Sequence, residues 1–189
     1  MKTTLLIIIL LLFIGAKPLA DRGQWVIDTG SQLLIHGKTN INSYTCSILQ
    51  YDHFDTLGYT LKSEEMTFVD NTMVIPVKNF DCGNKTITKD LRRTVRAFEQ
   101  PNLYVTFISL KKDESTNHTT AKMKIRLAGI AKLITVEFLL NEKGKLLQLT
   151  GKKEISFTDF NLKAPRHAFG LIKAQPNIVV EFNLIIKPI

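Results

Sequence analysis

The chain has 189 residues, 44% of them hydrophobic and 22% charged, a balance that supports one globular domain and excludes a disordered or collagen-like chain. Its formal net charge is +8, but Lys2 and Lys17 precede Asp21; from there on, 23 Lys and Arg face 17 Asp and Glu. An excess of that size, spread along the sequence, serves solubility and lacks the concentrated basic patch of a nucleic-acid binder, so no nucleic acid is expected.

Lys2 precedes a ten-residue apolar run, Leu5 to Ile14, and then small residues and a proline: Gly15, Ala16, Pro18 and Ala20. This order reads as a secretory signal peptide over residues 1–20, cleaved after Ala20. The run falls short of the roughly 20 apolar residues that span a bilayer, and no cysteine follows it for lipid attachment. The expectation is a periplasmic or secreted domain over residues 21–189.

From Asp21 the dominant signal is period-two alternation, the mark of half-buried strands. Strands are expected at 24–28, 32–40, 59–69, 73–79, 103–111, 121–128, 130–140, 145–157 and 178–186. Met123, Ile125 and Leu127 alternate with Lys122, Lys124 and Arg126. Ile178, Val180, Phe182, Leu184 and Ile186 form a wholly apolar face near the C-terminus. Gly129 and the run Asn141-Glu142-Lys143-Gly144 mark two hairpin turns. Many strands at short spacing indicate a β-sandwich or a closed barrel.

The β pattern breaks between Thr86 and Pro101. Thr88 can cap a helix with Asp90 in its first turn. Leu91, Val95 and Phe98 recur at helical spacing, and Arg92, Arg93 and Arg96 take the other face. An amphipathic helix over 88–99 follows, ended by Pro101.

Cys46 and Cys82 are the only cysteines. An even count in an exported chain favours a structural disulfide. Redox chemistry would want a C-x-x-C pair, and a zinc site would want four ligands. Asp52, His53 and Asp55 read as a solvated turn in preference to an ion site. The histidines His36, His53, His118 and His167 have no metal-ligand spacing, and no serine sits in a nucleophile elbow. No enzyme activity, metal or cofactor is expected.

One further pattern emerges from the order of several segments. Trp25-Val26-Ile27-Asp28 and Ser31 are followed by Gly37-Lys38-Thr39-Asn40-Ile41-Asn42-Ser43-Tyr44-Thr45-Cys46. Next come Ile75-Pro76-Val77-Lys78-Asn79-Phe80-Asp81-Cys82 and the helix into Pro101. The chain closes with Phe157-Thr158-Asp159-Phe160, Gly170-Leu171-Ile172-Lys173 and the strand from Ile178 to Ile186. Across residues 24–187 this order resembles the YceI-like family in a form that carries a cysteine pair. It departs from better-known members at Gly30-Ser31 and Gly37-Lys38, where those tend to carry histidines.

The resemblance implies a mainly β fold, a lipocalin-like eight-stranded antiparallel barrel with one or two short helices. It implies an apolar cavity for a long-chain lipid or isoprenoid, a polyisoprenoid, isoprenoid quinone or fatty-acid-like molecule, with no catalytic group. The candidate cavity lining is Val105, Phe107, Met123, Ile125, Leu127, Ile134, Val136, Phe138, Phe169, Val180, Phe182 and Leu184. Tyr104, Arg166 and His167 are candidates for holding a headgroup at the mouth. The alternative is a filled barrel, an interaction or stress-response protein that binds a partner or membrane surface through Arg92, Arg93 and Arg96. Peripheral membrane contact and a homodimer are compatible with either reading.

Overall fold

The computed structural model describes residues 21–48, 55–69, 71–113 and 115–189. The expected signal peptide and the Asp52–His53 part of the expected turn lie outside the described residues. In chain order the elements are β1 (Asp21–Ile27), β2 (Gln32–Lys38), β3 (Ser43–Ile48), β4 (Asp55–Lys62), β5 (Glu65–Phe68), β6 (Thr72–Pro76), α1 (Lys85–Thr94), β7 (Asn102–Lys112), β8 (His118–Leu127), β9 (Ile130–Lys143), β10 (Leu146–Ser156), β11 (Arg166–His167), β12 (Ile172–Lys173) and β13 (Asn177–Pro188). Short 3-10 turns occupy Val77–Asn79, Phe157–Phe160 and Ala168–Gly170.

Alternation in sequence becomes inside and outside. On β8, Thr119, Ala121, Met123 and Ile125 are buried while the residues between them are exposed. On β13, Ile178, Val180, Phe182, Leu184 and Ile186 are all buried. One face turns inward because each strand has period two and can bury only one side. The strands run antiparallel in the order β1-β4-β5-β7-β8-β9-β10-β13, and β13 pairs back with β1 through Trp25–Pro188 and Ile27–Ile186. This closes an eight-stranded antiparallel barrel, a size whose interior is either filled by side chains or able to hold one ligand.

The two ends of the barrel close differently. The C-terminal half of β13 pairs with β1, whereas Val179–Asn183 pair with β2, which carries β3. Likewise β5 pairs with the second half of β7 and β6 with the first half. At the second end the seam after β3 is closed by reciprocal backbone bonds between Ser47 and Asp81, at 2.7 and 3.0 Å. The Cys46–Cys82 disulfide sits beside them and spans 36 residues of chain. It staples β3 to the segment leading into α1.

Several expected boundaries shift, for local reasons. The strand expected over 59–69 is a hairpin, β4 and β5, turning at Ser63, which takes a left-handed φ of 56°. The β8–β9 hairpin has the two-residue turn Ala128-Gly129 with both φ positive, at 50° and 83°, the conformation that matches strand twist. The next turn is Gly144-Lys145, so β9 continues through the run expected as loop. Helix α1 starts earlier than expected because Asn84, not Thr88, is its cap; the Asn84 side chain accepts from the Thr86 and Ile87 amides. Thr88 is buried and its hydroxyl accepts from the Cys82 amide. The helix also ends earlier, at Thr94, without help from Pro101. Arg96 turns left-handed, at φ 55°, while its amide bonds Arg93 O and the Ala97 amide bonds Arg92 O, the pattern of a Schellman stop. Phe98 thereby leaves the helical face and is 97% exposed.

Candidate ligand-binding site

The barrel interior is unevenly filled. Toward the β1–β4–β5 end, Trp25, Tyr59, Phe68 and Phe107 form a chain of tilted and edge-on ring contacts with centroids 5.6 to 6.3 Å apart. These rings plug that end. Beyond them lie two cavities in line.

The cavity nearest the plug measures about 30 Å³ and is bounded by Ser31, Ile48, Met73, Ile75, Phe107, Met123 and Leu184. Ser31 closes it: its hydroxyl donates to Ile185 O at 3.3 Å and accepts from Ile185 N at 2.9 Å. The next cavity measures about 70 Å³ and has an entirely apolar lining, which includes Ile35, Leu91, Val95, Ile125, Phe157, Phe160 and Val180. Leu33, Val105 and Phe182 border both. From Ile178 to Leu184 the pair covers seven residues of β13, about 20 Å of strand.

A wider groove of about 320 Å³ lies under α1, between the β2–β3 turn and the β10–β13 connection. It shares Leu91 and Phe157 with the inner cavity, so those two side chains separate groove from interior. Its remaining walls mix apolar residues such as Ile41, Ile87 and Ile172 with Thr39, Asn42, Tyr44, Asn84, Thr86, Asp90 and Thr94. Among the described residues, no lysine or arginine lines it. The Tyr44 hydroxyl is held above the usual phenol pKa, first by burial and then by the nearby Asp90 carboxylate. Asp90 itself, buried at 7% exposure, accepts from Arg93 at 2.9 Å.

Of the residues nominated from sequence, Val105, Phe107, Met123, Ile125, Leu127, Val180, Phe182 and Leu184 border one or both inner cavities. Ile134, Val136 and Phe138 on β9 point inward but pack into the wall; the Phe138 ring meets Phe182 edge-on at 5.9 Å. Phe169 is fully exposed, outside the barrel, in the 3-10 turn after β11. Tyr104 faces outward, its ring 3.9 Å beneath the Arg126 guanidinium, and so is not at the mouth. Arg166 is exposed in the β10–β13 connection, and His167 follows it in β11.

The arginines of α1 do not make a free basic face. Arg92 donates to Lys78 O and Phe80 O, at 2.6 and 3.2 Å, tying the helix to the chain that enters it. Arg93 serves Asp90, and Arg96 reaches Asn161 O at 3.5 Å. His36 lies outside, between Thr45 and Glu181.

Sequence reasoning missed Leu33, Ile35, Leu91, Val95, Phe157 and Phe160. Leu91 and Val95 carried a signal, since both lie on the apolar face of the expected helix. Phe157 and Phe160 are in a 3-10 turn capped by Ser156 and Asp159, a geometry with no period to read.

No protein-family model matches the sequence, and no curated protein matches it either. Solved structures do. The chain is similar to BcnA of Burkholderia cenocepacia, with a TM-score of 0.62 at 16% identity, over 84% of this chain and 98% of that one. It is similar to a polyisoprenoid-binding domain from Saccharophagus degradans, with a TM-score of 0.58 at 13% identity, over 86% and 97%. The YceI protein of Campylobacter jejuni superposes with a TM-score of 0.52 at 15% identity, over 62% and 71%. The chain therefore has the barrel fold of these proteins, the fold that its resemblance to the YceI-like family implied.

Proposed function

We propose that the protein is an exported, non-catalytic binding protein that holds one long-chain apolar ligand, an isoprenoid or a fatty-acid-like lipid, along the barrel axis. The observation that carries this reading is the line of three spaces, two apolar inside and one polar-rimmed at the mouth, in a barrel plugged at the far end. An apolar chain removed from water there gains about 25 cal/mol per Å². A polar head would stay in the groove among hydroxyl and amide groups. The polyisoprenoid-binding domain of Saccharophagus degradans, which shares this fold, supports the same class of ligand.

Magnitudes set how binding must proceed. The groove has the volume of an ordinary small-molecule site, roughly 300 to 1,000 Å³. The inner cavities do not: about 70 Å³ is little more than the volume of two waters. A chain enters only if Leu91 and Phe157 move aside and the side chains around Val105 and Phe182 repack. Helix α1 is the element placed to do this, since Leu91 and Val95, the residue just past its end, face the interior.

The test is native mass spectrometry of protein purified without detergent, followed by organic extraction. One long-chain adduct per chain, released into solvent, is expected. A bare mass that takes up neither added isoprenoid nor fatty acid would favour the filled barrel.

A further inference from the structure

In sequence the basic residues look dispersed; in the fold they are not. The β2–β3 turn with Lys38, the segment 77–100 around α1 and the connection 157–176 meet at the groove end of the barrel. Together they carry ten basic and four acidic side chains, while the remainder of the chain from Asp21 onward has 13 of each. The whole +6 excess therefore sits at one end.

The same end exposes large apolar side chains. Phe169 is fully exposed, Leu171 76% and Ile41 65% exposed. Their loops are tied together: the Asn40 side chain donates to Leu171 O at 2.9 Å and accepts from Lys173 N at 2.8 Å, and Thr39 bridges to Ala174. Phe169 also adopts a left-handed φ of 54°, which is costly for a residue with a bulky side chain. That conformation holds the ring in solvent, where it contributes nothing to the core. Exposed Lys163, Arg166 and Lys173 flank it in the same connection.

We infer that the groove end docks onto an anionic lipid bilayer, inserting Phe169, Leu171 and Ile41 among the acyl chains while the surrounding lysines and arginines meet the headgroups. Apolar tips ringed by cations on a basic face are complementary to an anionic membrane surface and to its hydrocarbon beneath. Docking in this pose sets the mouth of the barrel against the membrane. Lys163, Arg166 and Lys173 make the headgroup contacts; Arg92 and Arg93 of α1 have partners within the fold and add only to the overall charge of this end. It holds whether or not the barrel carries a lipid, so failure of either reading leaves the other standing.

Vesicle flotation tests it, using phosphatidylcholine vesicles with and without phosphatidylglycerol. The purified protein is expected to float with the anionic vesicles and to be left behind by the neutral ones. The double variant F169S/L171S should partition about tenfold more weakly or worse, and K163E/R166E/K173E about a hundredfold more weakly. All these side chains are exposed, so both variants should melt like the parent. Absence of flotation with anionic vesicles overturns the inference. So does flotation of either variant at the parent's level, or equal binding to neutral vesicles.

Discussion

Gly151 on β10 lies opposite Phe138 on β9 and Phe182 on β13, and these two rings meet across it. A Cβ at Gly151 would come within 2.6 Å of the Glu137 backbone oxygen and 2.9 Å of the Phe138 ring. Backbone cannot yield there, so Gly151→Ala should destabilise the protein by about 1 to 3 kcal/mol, seen as a lower urea midpoint with an unchanged slope. Glu181 gives a second residue-level test. Its carboxyl is held below the usual range mainly by the Lys152 ammonium, which donates to it at 3.0 Å, and less by His36, while desolvation opposes both. A carboxyl lowered by folding stabilises above its unfolded pKa, about 4.3, and that contribution is lost as pH falls through the folded value. Thermal melts between pH 7 and pH 3 should therefore drop less steeply for Glu181→Gln than for the parent; parallel curves would show that the cluster contributes nothing to folding. Neither site was legible in sequence. A lone glycine in an alternating strand says nothing about which rings flank it, and nothing in the linear order places Lys152 and His36 beside Glu181.

At the scale of elements, strands were readable and ends were not. The purely alternating β8 and β13 emerged where expected because burial on one face dictates period two. Helix α1 was recognisable from Leu91 and Val95. Its boundaries were misread because an asparagine cap and a Schellman stop built on Arg96 replaced the threonine and proline that sequence suggested. The disulfide was legible from cysteine count, but its work was not: it closes the barrel seam beside Ser47 and Asp81 and anchors the entry to α1. Cross-linking over 36 residues should contribute about 4 kcal/mol in the loop-closure picture. Cys46→Ala with Cys82→Ala should lose about 2 to 4 kcal/mol, and hydrogen exchange should show protection lost first in α1. Uniform loss across the barrel would mean that the bridge does not anchor the helix in particular.

The molecule as a whole is a barrel divided along its axis: aromatic plug, two apolar cavities, gated groove, basic end with apolar tips. The barrel and its apolar faces followed from alternation and from the family resemblance. The division did not, because it depends on which inward side chains are large and on a non-periodic connection, residues 157–176, that wraps the mouth. Phe169 shows the limit: an aromatic near the barrel strands reads as core, and only the backbone conformation puts it outside. The same connection gathers Lys163, Arg166 and Lys173 with α1, a clustering invisible in a linear count.

Val105 borders both inner cavities, which makes it the position from which to test whether the interior is the binding site. Titration of a long-chain isoprenoid followed by native mass spectrometry should be run on the parent and on Val105→Phe, with a thermal melt to show that the variant is folded. One ligand per chain is expected for the parent and none for the folded variant, because the added ring occupies the path between the cavities. Equal uptake by both would contradict interior binding and place any bound lipid outside the barrel.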